Sequence, residues 1–218
     1  MKSSLKNMVL VLFSISLIAS LCLGLVNMVT KDPIAAAKLA AEQEAIKKVL
    51  PEFDAIEKSQ IDSLKVVVNK ATKGGEVVGY AIKSEATGFS DVVKLMVGFD
   101  TNGTILCVDV LEQKETPGLG TKMTIEGDSI KNPLLKLNGK SAPEIDFRVK
   151  KDGGDVDALT AATISSRAYV KAVETAYKVF QKAAGWTDKV EANTGASKTN
   201  GVEETKQGNF EPKRAKEE

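Results

Sequence analysis

Val92-Val93-Lys94-Leu95-Met96-Val97-Gly98-Phe99-Asp100-Thr101-Asn102-Gly103-Thr104-Ile105-Leu106-Cys107-Val108-Asp109-Val110-Leu111 decides the fold class. Two short apolar runs, Val92–Phe99 and Ile105–Leu111, flank Asp100-Thr101-Asn102-Gly103. Asn-Gly tolerates the positive φ angles of tight hairpin turns, so the pair is expected to fold back antiparallel. Upstream, Leu64–Val68 and Val77–Ile82 have the same β-branched character and extend the hairpin into a meander. Downstream the period changes. From Ile164 to Ala184, Val170, Val173, Tyr177 and Phe180 recur at intervals of 3, 4 and 3, the buried stripe of one helix. Strands followed by a packed helix indicate an α+β domain with an antiparallel sheet.

Working outward to the N-terminus, Met8–Val29 is a run of 22 residues without a charge. At ~1.5 Å per residue it spans roughly the ~30 Å hydrocarbon core of a bilayer, whereas the apolar region of a cleaved signal is usually only ~7 to 15 residues. The expectation is a single N-terminal transmembrane helix. Lys2 and Lys6 precede it, so the positive-inside rule keeps the N-terminus cytoplasmic and sends the rest across. Leu21 before Cys22 makes a poor lipoprotein processing site, and Cys22 reads as a small apolar residue of the span. Ser14, Ser16, Ser20 and Gly24 are small enough to let neighbouring helices approach, and equally serve as lipid-facing filler. After Pro33, Ile34–Leu50 is rich in Ala, Lys and Glu and ends before Pro51, a helix that continues from the anchor as a stalk or as the first helix of the domain. At the other end, 187–218 has too few apolar residues to offset the entropy of ordering and is expected to be disordered. The expected organisation is residues 1–31 as stub and anchor, 32–186 as an extracytoplasmic domain, and 187–218 as a polar tail.

Composition narrows the chemistry. The first 31 residues hold three lysines and no acid, and the remainder carries 27 basic against 29 acidic residues. A soluble part so close to neutral argues against nucleic-acid binding. The chain has no histidine and only two cysteines. Histidine-dependent triads, histidine zinc sites, histidine-ligated haem and an iron–sulfur cluster built within this chain are thereby excluded. Cys107, in a predicted strand, is expected to be a buried free thiol with no assigned role.

Two segments carry the remaining signal. Glu115-Thr116-Pro117-Gly118-Leu119-Gly120 follows a predicted strand; proline stiffens it, and the glycines free the backbone for close approach. An ordinary turn has the same composition. Asp157-Ala158-Leu159-Thr160-Ala161-Ala162-Thr163-Ile164-Ser165-Ser166 opens the long helix, with four hydroxyls in seven positions where a cap needs one. Helix N-termini present unpaired N–H donors and the positive end of a dipole, so a phosphate beside Thr163 is one reading and a capped, solvated helix start is the other.

Together, ETPGLG and D-x-x-T-x-A-T-x-S-S, in that order behind an N-terminal anchor, resemble the FMN-binding domain family of membrane redox complexes. The likeness runs from the anchor to Trp186 and is strongest to the G subunits of the Rnf (Rsx) ion-translocating electron transport complex. The resemblance implies FMN joined by a phosphoester to the last threonine of an S/T-G-A-T motif, here Thr163, with Thr160 and Ala162 matching and Ala161 in place of the glycine. It further implies Thr160, Ala162, Ser165 and Ser166 at the phosphate and ribityl end. Thr116, Gly118, Leu119 and Gly120 would pack against the isoalloxazine ring, with Glu115 as a brace and Asp157 as the acid that opens the motif. Lys150, Lys151 and Arg167 are candidates to stabilise reduced, anionic flavin, although charges beside a helix start are usually solvated. In this reading the cofactor carries the redox chemistry and the protein supplies position and electrostatics, with no catalytic side chain and no metal. The implied partners are the other subunits of a complex moving electrons between ferredoxin and NAD while translocating ions, a flavin transferase for maturation, and the bacterial inner membrane, with no nucleic acid. The C subunit of the sodium-translocating NADH:quinone reductase has similar motifs, but the short region between anchor and ETPGLG favours the G subunit. A cofactor-free, membrane-anchored interaction module is the alternative of another class.

Overall fold

The computed structural model describes residues 5–61 and 66–186. Leu64 and the polar segment 187–218 lie outside them. Five strands, β1 (Ala55–Ile61), β2 (Val66–Lys73), β3 (Glu76–Thr87), β4 (Val92–Phe99) and β5 (Ile105–Glu112), form one antiparallel sheet in the order β1-β2-β3-β4-β5. Helix α1 (Leu5–Val49) precedes the sheet and α2 (Thr163–Ala183) ends the fold, so the α+β class holds. β4 and β5 match the apolar runs of the sequence closely, β3 extends its run at both ends, and β2 shares only 66–68 with the run expected there. β1 matches no such run, because Ala55-Ile56-Glu57-Lys58-Ser59-Gln60-Ile61 is an edge strand rich in polar residues, as befits an unpaired sheet edge.

The central hairpin differs from expectation in its turn. Asn102 keeps a negative φ and only Gly103 is left-handed, at φ 81°. The Asp100 carboxylate organises the turn by accepting the N–H groups of Asn102 and Thr104 at 2.8 and 2.7 Å, and the strand register shifts between Gly98 and Phe99.

Burial of β4 on both faces follows from helices on both sides of the sheet. On one face the C-terminal end of α1 seats Ala45, Ile46 and Val49, with Leu50 just after it, against Ala71, Ala81 and Met96. The small side chains bring the helix so close that a Cβ on Gly98 would lie 2.0 Å from the Val49 carbonyl oxygen. On the other face, Phe180 of α2 stacks on Phe99 with ring centroids 5.1 Å apart and meets Tyr80 edge-on at 5.4 Å. The expected stripe of Val170, Val173, Tyr177 and Phe180 is buried. Anchor and first domain helix are one element, since α1 runs unbroken through Pro33 and is exposed from Leu5 to Lys31 almost without interruption. It is long and apolar enough to cross a membrane. Cys107 is half-buried rather than buried; it is a free thiol whose pKa is pushed up by desolvation.

Candidate functional site

Two tight turns of the same kind face a common cleft. Thr116-Pro117-Gly118-Leu119 closes with the Leu119 N–H donating to the Thr116 carbonyl at 3.1 Å, and Gly118 has φ 75°. Proline second and a left-handed residue third is the signature of a type II turn. Leu159-Thr160-Ala161-Ala162 repeats it, with Ala162 N–H donating to the Leu159 carbonyl at 3.1 Å and Ala161 at φ 60°. Each turn delivers the chain into a helix: a 3-10 segment at Gly120–Thr124 and α2 at Thr163.

Glu115 holds the two together. It is 3 % exposed, and its carboxylate accepts the N–H of Phe89 at 3.0 Å, the N–H of Ser90 at 3.2 Å and the Ser165 hydroxyl. Loop 88–91, the ETPGLG turn and the first turn of α2 thus converge on one buried carboxylate. Gly120 permits this approach, since a Cβ there would stand 2.6 Å from the Glu115 Cβ and 2.7 Å from the Ser165 Oγ.

The cleft between them has a volume of about 340 Å³, at the small end of the range of ligand sites. Thr116, Leu119, Gly120, Ala162, Thr163 and Ser165 line it, and so do Phe89, which lies outside both sequence motifs, and Ala161 and Ile164, which fill unspecified positions of the second. Gly118 and Thr160 are exposed and lie outside its lining.

The four hydroxyls at the start of α2 separate cleanly. Ser166 is fully buried, accepts the Leu159 N–H at 2.8 Å and donates to the Ala162 carbonyl at 2.9 Å, so it braces the turn from inside. Ser165 is committed to Glu115. Thr160 takes no part in the cleft lining. Thr163, half-buried on the cleft, has no hydrogen-bond partner for its hydroxyl among the described residues. The residue before it, Ala162, supplies no side-chain cap. The first N–H groups of α2 therefore meet the cleft without a side-chain acceptor at the cap, where helix geometry leaves donors unpaired and the dipole is positive.

Nearby charges are neutralised within the chain. Arg167 clasps Asp152 through two bonds of 2.7 Å, and Lys150 and Lys136 pair with Asp157 at 2.7 and 2.9 Å. The Arg167 guanidinium holds the Asp152 carboxyl below its usual range, and the Lys150 and Lys136 ammonium groups do the same for Asp157. Lys150, Lys151 and Arg167 are absent from the cleft lining. A larger groove of about 890 Å³ lies on the other side of Ile164, lined in part by Phe147, Arg148 and Arg167. It shares only Ile164 with the cleft and includes neither Thr163 nor either turn.

Residues 88–178 match the FMN-binding domain family. The chain is 34 % identical over 185 residues to the G subunit of the ion-translocating oxidoreductase complex of Shewanella baltica, covering 77 % of this chain and 87 % of that protein. It is 29 % identical over 195 residues to the G subunit of the Na(+)-translocating ferredoxin:NAD(+) oxidoreductase complex of Acetobacterium woodii, covering 79 % and 89 %. Among solved structures, Shewanella oneidensis NqrC overlaps 60 % of this chain and 65 % of its own at 20 % identity, with a TM-score of 0.36, too loose an overlap to add to the site. By its sequence similarity the chain belongs to the family of FMN-binding G subunits of ion-translocating oxidoreductase complexes.

Proposed function

We propose that this membrane-anchored chain is an electron-transfer subunit whose FMN is joined by a phosphoester to Thr163, in a complex that couples electron flow between ferredoxin and NAD to ion translocation. The observation that carries the reading is the separation of the hydroxyls: of Thr160, Thr163, Ser165 and Ser166, only Thr163 is both unengaged and on the cleft. The residues fit the group. The uncapped start of α2 suits a phosphodiester, whose single negative charge needs N–H donors more than it needs a lysine. The turn at Thr116–Leu119 forms the wall opposite, and Glu115 with Ser165 and Ser166 holds both walls in place. FMN supplies one- and two-electron redox chemistry. The side chains bind, orient and shield, and none is required as an acid or base.

The anchor of residues 1–31 places the N-terminus in the cytoplasm of the inner membrane and the 32–186 domain outside, with 187–218 as a polar appendage. Outside the cytoplasm, lost FMN is not readily replaced, and a tether gives the site a high effective concentration of its own cofactor. Maturation then requires a flavin transferase, and function the other subunits of the complex.

The test is expression of the full chain with a flavin transferase, followed by intact mass and in-gel flavin fluorescence after denaturation. Wild type and Thr163→Ser are expected to gain one FMN less one water, and Thr163→Ala to gain nothing. Covalent flavin retained by Thr163→Ala would refute the site. Wild type that stays empty beside an active transferase would favour a cofactor-free module.

A further inference from the structure

Phe89 has a side chain that the fold does not use. It is 66 % exposed, although an aromatic ring is among the most rewarding groups to bury. Outside α1 only Val67, Phe89, Leu119, Ile130 and Ile164 are exposed large hydrophobics among the described residues, and three of these, Phe89, Leu119 and Ile164, line the one cleft beside Thr163. Clustering of that kind marks a surface awaiting an apolar occupant.

The loop that carries Phe89 is also held still. Its own N–H is shared between the two Glu115 carboxylate oxygens at 3.0 and 3.2 Å, the Ser90 N–H reaches Oε1 at 3.2 Å, and the Gly88 N–H donates to the Asp91 carbonyl at 2.9 Å. Lys114 pairs with Asp91 at 2.7 Å behind the loop. The same carboxylate of Glu115 accepts Ser165, two residues past Thr163. Backbone anchorage combined with a solvent-facing ring is the arrangement of a preorganised binding group, because the entropy of ordering is spent on folding and not on the ligand.

We propose that Phe89 is a positioning residue for the flavin: its ring covers one face of the isoalloxazine in the cleft that it lines with Leu119. The inference rests on Thr163 as the attachment point and goes beyond it by naming the wall that fixes the ring. A tether at the phosphate alone leaves a long flexible ribityl chain, and a flat ring system held only at that end would sample many orientations. The aromatic face of Phe89 removes that freedom and keeps water off the face it covers.

The experiment uses the full chain co-expressed with a flavin transferase, with FMN content read by intact mass. Three variants are compared with wild type: Phe89→Trp, Phe89→Ala, and Ile130→Trp as the control at an exposed residue outside the cleft. An indole in contact with a flavin quenches its fluorescence by electron transfer. The loaded Phe89→Trp variant is expected to lose fluorescence several-fold, with Ile130→Trp unchanged, and Phe89→Ala is expected to make the flavin more accessible to iodide quenching. Loaded Phe89→Trp as bright as wild type, or no change in iodide access in Phe89→Ala, would overturn the role of Phe89 while leaving Thr163 untouched. Wild type without covalent flavin would overturn both.

Discussion

Ala161 is the one non-glycine residue in the left-handed region among the described residues, at φ 60°. An L-residue there sets its Cβ against a carbonyl oxygen at a cost of roughly 1–2 kcal/mol. The S/T-G-A-T motif that this segment resembles has glycine at this place, and a glycine suits the local backbone: the third position of the turn that delivers Thr163 is left-handed. Alanine holds the same angle under strain. Ala161→Gly is accordingly expected to stabilise the protein, by up to about 1 kcal/mol once the greater freedom of glycine in the unfolded chain is subtracted. The denaturation midpoint of the full chain checks this, and a lower midpoint would mean that the turn is not strained. The cluster of hydroxyls around Ala161 is visible in the sequence, but their division of labour is not. Ser165 turns inward because Glu115, 50 residues away in sequence, waits for it. Phe89 is invisible for the same reason, since its surroundings are assembled from three separate loops.

At the scale of elements, periodicity serves where a face is buried and fails where it is not. The stripe on α2 and the runs of β4 and β5 are legible because each packs against a core. β1 at the sheet edge mixes charged and polar residues and leaves no such trace. The start of the domain is legible as well: the helix after Pro33 is expected to continue from the apolar segment, and α1 runs through Pro33 as one element. That continuity gives the last turn of α1 its consequence. Lys48 bridges Asp109 on β5 and Glu126, and although burial works against its charge, the two carboxylates hold its pKa above the ordinary lysine value. Lys83 pairs with Glu42, and Lys94 with Glu112, which Lys38 also approaches. Beneath these pairs the helix backbone lies directly on Gly98. Gly98→Ala is expected to force α1 off the sheet and cost about 3 kcal/mol or more, in line with overpacking of a closed core. A thermal unfolding midpoint equal to wild type would show that α1 is not seated as described.

For the molecule as a whole, the apolar segment and the FMN-binding domain are joined by a single helix, whose C-terminal end packs on the face of the sheet opposite α2 and the cleft. The composition leaves no histidine and too few cysteines to hold a metal centre within the chain, so any hard redox chemistry has to come from a non-metal cofactor. The attachment proposed above concerns one oxygen among four. Trypsin cuts after Lys151 and Arg167, so Thr160, Thr163, Ser165 and Ser166 fall in one peptide, 152–167. Tandem mass spectrometry of that peptide from protein matured with a flavin transferase is the most direct measurement. The fragment ions are predicted to place the flavin phosphoester on Thr163, and an unmodified peptide, or the flavin on any of the other three hydroxyls, would contradict the account.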